Sequence, residues 1–357
     1  VMDNQADGSS PLLVHGGQLN EVAQRYQIPL EKWLDLSTGI SPINYPIPAI
    51  PENIWQQLPQ PNQAMLSAAK NYYGTQNISV TSGSQAVIAR LPALYLNHIN
   101  QPANGIEVWL PEVGYKEHER AWHDAGFTIK NYQHLPTCEV LSRYAIVVVI
   151  NPNNPTGELQ QQQTLTTLLT TLESLSGWLI VDEAFMDVIT PSQSLIHLTA
   201  NKHLFVLRSI GKFFGLAGIR IGFVSAHPSW INKLQQLSSP WEVNGPAQFI
   251  TEQALKNKVW QVAQQQQLIA LSIRLEALLA KTFLPNQDKS NDPSITISGC
   301  GLFKTLVHPQ ATELYQKFCC QGLYVRLCDE KNALRFGIPD QEQYQILAKS
   351  LAEHSHS

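Results

Sequence analysis

Between about residues 75 and 225 the chain alternates short apolar runs with longer amphipathic stretches. No other feature limits the fold as much. The runs NISVTSG, IEVWLP, YAIVVVINP, WLIVDEAF, LFVLRS and RIGFVSA are rich in Val and Ile and mostly end in Gly, Pro, Asn or Asp. Such runs read as strands, most of them buried on both faces. Segments 84–98 and 160–175, lying between them, read as helices. Strands alternating with helices imply an α/β layer around a mostly parallel sheet. In such a sheet the functional loops gather at the carboxyl ends of the strands. Ser84, Asn154, Asp182 and the stretch Ser209 to Lys212 all lie at such ends.

The remainder divides around this layer. The composition changes near SSPWEVNGPAQ at 238–248, and a long helical stretch follows over roughly 246–282. Strand-like SITISGCGLFKTLV, helix-like ATELYQKFCCQG, strands GLYVRLC and ALRFGIP, and a last helix from Asp340 complete the chain. The expected organisation is a large domain over 41–244, then an interdomain helix with a smaller α+β domain over 245–357. Residues 1–40 form an N-terminal arm or part of that small domain. The glutamine runs at 160–163 and 264–267 read as helical surface.

The 357 residues, 43% of them hydrophobic, are enough for a large core. A formal net charge of −4 without a basic block argues against a nucleic-acid partner. The five cysteines (138, 300, 319, 320 and 328) are odd in number and lack metal-site spacing, which fits a reduced, cytoplasmic protein. The start, VMDNQADGSSPLL, has neither the basic residues nor the apolar core of a signal peptide. The run AIVVVI at 145–150 is too short to cross a bilayer.

Chemistry concentrates in five segments. Lys212 stands in RSIGKFFGLAGIR, with Ser209 three residues before it and Arg220 eight after. An amine beside a hydroxyl and a guanidinium suits a ligand that is both an aldehyde and a phosphate ester, namely pyridoxal phosphate. TSGSQ at 81–85 closes a strand and opens a helix, so Ser84 and Gln85 present N–H groups to an anion. Tyr115, in VGYKEH, offers a ring face for stacking. NPNNPTG at 151–157 fixes a sharp loop that carries the amide of Asn154, a donor for a phenolic oxygen. Asp182 ends a strand buried on both faces and needs a positive partner, which a protonated pyridine nitrogen supplies.

The ordered set GSQ, NPNNPTG, DEAF, S-x-x-K and a downstream R-x-G resembles the fold type I pyridoxal-phosphate enzymes, the aspartate aminotransferase superfamily. Within it, LLVHGGQLNEVAQRY at 12–26, LDLSTGISPINYP at 34–46, YKEHERAW at 115–122, DEAFMD at 182–187 and GLYVRLC…ALRFGIP at 322–339 are similar to the branch around histidinol-phosphate aminotransferase. More narrowly, they resemble the L-threonine-O-3-phosphate decarboxylases of cobalamin biosynthesis. The resemblance implies that Lys212 is the Schiff-base lysine, that Asp182 and Tyr115 serve the reaction, and that Ser84, Gln85, Asn154, Ser209 and Arg220 complete the cofactor site. It implies Arg335 for the substrate carboxylate, His15 and Arg326 for its phosphate, and Gly39 and Asn154 beside it. Decarboxylation of L-threonine O-3-phosphate to (R)-1-amino-2-propanol O-2-phosphate, in a homodimer, is the implied activity. A histidinol-phosphate type of transamination and a non-catalytic binding role are the alternatives.

Two positions depart from the superfamily pattern. Phe185 stands where many relatives have a tyrosine that donates to the phenolic oxygen. Leu58-Pro59 stands where many have Tyr-Pro reaching a neighbouring subunit's phosphate, and Tyr45 and Tyr72 are near it in sequence.

Overall fold

The computed structural model describes residues 16–99, 102–284 and 294–354. The strands are β1 (Leu34–Asp35), β2 (Ile78–Thr81), β3 (Glu107–Pro111), β4 (Thr128–Tyr132), β5 (Ile146–Ile150), β6 (Trp178–Asp182) and β7 (Leu204–Ser209). They continue with β8 (Gly222–Ala226), β9 (Thr296–Cys300), β10 (Phe303–Val307), β11 (Leu323–Tyr324), β12 (Arg326–Leu327) and β13 (Ala333–Gly337). A seven-stranded sheet runs in the order β2-β8-β7-β6-β5-β3-β4. Only β8 runs antiparallel to its neighbours. The expected α/β fold with a mostly parallel sheet is therefore what the chain forms. No helix among the described residues is long and apolar enough to cross a membrane.

The apolar runs supply both faces of this sheet. Val147, Val149, Leu179, Val181, Leu204 and Val206 pack into one core cluster. Ile146, Val148, Trp178, Ile180, Phe205 and Leu207 alternate with them and pack into the other. Each such side chain, fully buried, contributes about 1.5–3 kcal/mol against leaving it in water. β4 escapes sequence reading because its run TIKNY lies at the sheet edge and is largely solvated. Such a strand needs no apolar signature.

A second sheet, in the order β12-β13-β10-β9, forms from the C-terminal part of the chain. β1 pairs in parallel with β11 and draws residues 34–35 to that side. GLYVRLC therefore divides at Val325 between two sheets rather than forming one strand. The long helical stretch also divides, into Gly245–Lys256 and Lys258–Phe283. Asn257 leaves the helical conformation, and its side chain accepts from Trp260 N at 3.1 Å, capping the second helix.

The second helix does more than connect. Gln264, read from sequence as helical surface, is buried. Its Nε2 lies within hydrogen-bond reach of Ser41 Oγ at 2.7 Å and of the carbonyls of Ile43 and Phe213 at 3.0 Å. It thereby pins the turn that follows Lys212. Gln265 donates to Thr190 Oγ1, whereas Gln266 and Gln267 are exposed as expected.

A buried ion cluster fastens the ends of β6 and β7. Arg208 Nη1 donates to Glu183 Oε2 at 2.8 Å, and Nη2 donates to Asp187 Oδ1. Tyr72 O–H donates to the same Asp187 oxygen, and Leu195 N donates to Glu183 Oε1. The Arg208 side chain is 6% exposed, and its guanidinium lies 4.6 Å from the Tyr73 ring centre. Arg208→Met leaves two carboxylates buried without their cation. Urea denaturation of this variant is expected to show a loss of about 3–5 kcal/mol; a loss within experimental error contradicts the fastening role.

Candidate active site

A cavity of about 260 Å³ opens at the carboxyl ends of the parallel strands, against β12 and β13. It brings together residues far apart in sequence: Ser84, Gln85, Tyr115, Asn154, Asp182, Ser209, Lys212, Arg220, Arg326, Arg335 and Gly39 all line it. His15 lies outside the described residues; Gly16, which follows it, lines the cavity.

Lys212 sits in the short helix Ile210–Phe213, directly after β7. Its carbonyl accepts from Ser41 N at 3.0 Å, which fixes the backbone below the amine. The Nζ lies 5.6 Å from the centre of the Phe185 ring. Burial, reinforced by the charge of Arg335, pushes the ammonium down to about 8 against the pull of Asp182. About a tenth of the amine is thus uncharged at pH 7, far more than for an exposed lysine, and able to attack a carbonyl carbon.

Asp182 ends β6 and is 4% exposed. Its Oδ1 accepts from Ala184 N at 3.1 Å, and its Oδ2 accepts from His118 Nε2 at 3.0 Å. His118 is fully buried and escaped sequence reading. The signal was present: His118 falls three residues after Tyr115, the spacing at which two side chains share one helix face. Its Nδ1 is buried with no partner among the described residues.

Tyr115 precedes the helix Lys116–Asp124, and its ring centre lies 6.2 Å from that of His118. Its O–H donates to Gln85 Oε1 at 3.2 Å, and Gln85 Nε2 donates to Glu117 Oε2 at 3.0 Å. Burial pushes the phenol up to about 12, so it stays neutral. The Gln85 side chain is thus committed to holding Tyr115, which leaves its backbone for an anion. Beside it, Gly83 lies against Arg220: a Cβ there would come within 3.4 Å of Nη2. Ser209 pairs with Gly222, where a Cβ would come within 2.8 Å of Ser84 N. Ser84, Ser209 and Arg220 therefore converge at the start of a helix, where backbone N–H groups favour an anion.

Asn154 and Arg335 share a bond across the cavity: Arg335 Nη1 donates to Asn154 Oδ1. With that oxygen engaged, the Nδ2 end of Asn154 is the one left to donate. Arg335 Nη2 donates to Ser37 O at 2.9 Å. Arg326 pairs with Arg335 across β12 and β13, as expected of neighbouring strands, and lies 3.5 Å from Asp329. Gly39 cannot be larger, because a Cβ would stand 2.9 Å from the Phe185 ring and 3.2 Å from that of Phe303. Those two rings meet edge to face at 5.2 Å.

These groups fit pyridoxal phosphate. Lys212 would answer the aldehyde, the Ser84–Ser209–Arg220 corner the phosphate, Asp182 the ring nitrogen, Asn154 Nδ2 the phenolic oxygen and Tyr115 the ring face. Four cations and one carboxylate line the cavity, an excess suited to a ligand with several negative charges. In the apoprotein, capture of a small aldehyde by Lys212, trapped with cyanoborohydride, is expected to rise with a midpoint near pH 8. Exposed lysines respond near about 10.4, and a midpoint there contradicts the burial argument.

Comparison with known proteins agrees with this fold. The family model "Aminotransferase class I and II" matches residues 55–351. A threonine-phosphate decarboxylase of Pseudomonas aeruginosa is 38% identical over 331 residues, 93% of this chain and 94% of that one. Another, from a Sinorhizobium species, is 34% identical over 351 residues, 96% and 98% of the two chains. The solved histidinol-phosphate aminotransferase of Sinorhizobium meliloti, in complex with pyridoxal-5′-phosphate, shares the fold with a TM-score of 0.79 at 15% identity, covering 97% of this chain and 96% of that one. The chain belongs to the aminotransferase class I and II family.

Proposed function

We propose that the protein uses pyridoxal phosphate to remove the carboxylate of L-threonine O-3-phosphate as carbon dioxide. The product is (R)-1-amino-2-propanol O-2-phosphate, for cobalamin biosynthesis. The observation that carries this reading is the pairing of Arg326 with Arg335 inside the cavity that holds Lys212 and Asp182. The substrate has two anionic ends besides its amine, and each arginine suits one of them through bidentate bonding. Near full-length similarity to two threonine-phosphate decarboxylases supports the same substrate.

When bound, pyridoxal phosphate supplies an aldehyde and a protonated ring that draws in electrons from the reacting carbon. Lys212 anchors it, while Ser84, Gln85, Ser209 and Arg220 hold its phosphate. Asp182, steadied by His118 and Ala184 N, would partner the ring nitrogen. Asn154 donates to the phenolic oxygen, and Phe185 at the tyrosine position adds no second donor. Arg335 takes the substrate carboxylate; Arg326 takes the phosphate, with His15 as a second candidate. Loss of carbon dioxide leaves an electron pair at Cα that must take up a proton. Lys212, an amine whose charged form burial disfavours, delivers it.

A homodimer belongs to the same reading. Trp55, Leu58 and Trp241 are 64%, 59% and 58% exposed, and the helix Glu52–Gln56 packs on Gly245–Lys256. Apolar side chains this exposed fit a partner copy. With Leu58 in place of tyrosine, the cofactor phosphate receives no hydroxyl from that position. A cytoplasmic setting is supported by the five cysteines, all unpaired.

Purified holoenzyme given L-threonine O-3-phosphate alone is expected to release carbon dioxide through many turnovers. Turnover that needs a keto acid and releases no gas assigns the site to transamination instead. Lys212→Ala is expected to lower kcat by about a thousandfold or more and to abolish the borohydride-fixed adduct; retained turnover removes Lys212 from the reaction. Sedimentation should report two copies, and Trp55→Lys with Trp241→Lys should shift the protein toward one. A wild-type monomer refutes the dimer.

A further inference from the structure

Arg335 is held from outside the cofactor site as well as within it. Its Nη2 donates to the carbonyl of Ser37, a residue with no exposed surface. Ser37 is itself tightly held. Its N and Oγ both donate to Asp35 Oδ1, at 2.8 and 2.7 Å, and its Oγ accepts from Gly17 N at 2.8 Å. Gly16, the residue before Gly17, lines the cavity. A Cβ on Gly16 would stand 2.2 Å from Ser37 O, the same oxygen that receives Arg335. One carbonyl therefore touches both the segment at the cavity wall and the guanidinium that faces the substrate.

We propose that Ser37 is a positioning residue, whose hydroxyl fastens the Gly16–Gly17 segment to the cavity wall while its carbonyl sets the angle of Arg335. The assignment rests on the reading of Arg335 as the group that takes the substrate carboxylate. A guanidinium gives strong, directional recognition only when its plane is fixed. Asn154 and Ser37 fix two of the three nitrogens. Without the two hydrogen bonds of its hydroxyl, Ser37 keeps its carbonyl but loses what holds that carbonyl in place. Seating of the segment and aim of the arginine then slacken together.

Ser37→Ala deletes the hydroxyl and leaves the carbonyl. Its KM for L-threonine O-3-phosphate is expected to rise about tenfold, with kcat changed by less than about twofold. Binding of the inhibitor phosphoglycolate, which carries a carboxylate, to the holoenzyme should weaken to the same degree in calorimetry. Binding of inorganic phosphate, an inhibitor that carries none and meets this segment only through His15, should weaken far less. This pair of binding measurements needs no turnover, so it tests Ser37 even if threonine phosphate is not the substrate. Gly16→Ala presses on the same carbonyl from the other side and should reproduce the pattern. The double variant should show no more than the larger single effect, as coupled positions do. Equal weakening toward both inhibitors overturns the proposal. So do a fall in kcat that tracks a lowered melting temperature, and full additivity of the two variants.

Discussion

The buried bonds of Arg208 are the interaction on which the site depends most. Asp182 ends one strand and Lys212 follows the next, so their separation is set by how those strand ends are joined. Backbone pairing fixes β6 against β7 only as far as the strands run. Beyond that point Arg208 holds Glu183 and Asp187, which flank the segment carrying Phe185. Burying three ionised groups costs several kcal/mol each before their mutual attraction is counted. That cost is tolerable here because each charge meets an opposite one. What results is the Asp182 carboxylate and the Lys212 amine on a common rigid base, with Gln264 securing the turn from the other side.

A second junction joins what would hold the cofactor to what would hold the substrate. Asn154 and Arg335 belong to different sheets' loops and strands, yet they share a hydrogen bond. The amide is oriented by the arginine before any ligand arrives. Pre-set donors need little reorganisation at the moment of reaction, which is where electrostatic stabilisation is most effective. The same bond makes the two sheets parts of one site.

Much of this was legible in the sequence, for definite reasons. The central strands announce themselves because both of their faces are buried, which forces continuous Val and Ile. Lys212, Asp182, Asn154 and Arg220 stand at strand ends and turns where few residue types serve. What escaped had no such pressure on its local pattern. The edge strand TIKNY is half-solvated. Gln264 looks like its surface neighbours until the turn it pins is folded beneath it. His118 is a single polar residue whose partner is remote in sequence. The long helix is broken by one asparagine, and asparagine is common enough in helices that periodicity alone does not mark the stop. Arg326 and Arg335 were legible as a pair because the two strand-like runs that carry them follow one another in the chain, and such strands usually neighbour in space.

The contact between Gly39 and Phe185 has a consequence of another kind. The ring occupies the volume that any side chain at position 39 would need, and Phe303 closes the remaining space. Position 39 cannot enlarge by itself. A larger residue there demands a smaller one at 185, and a smaller residue at 185 opens a void beside the Lys212 amine. The two positions, distant in the gene and adjacent in the fold, share one volume, so a lineage that adds bulk at 39 must give it up at 185, while an exchange of near-equal size at 185 leaves the glycine in place.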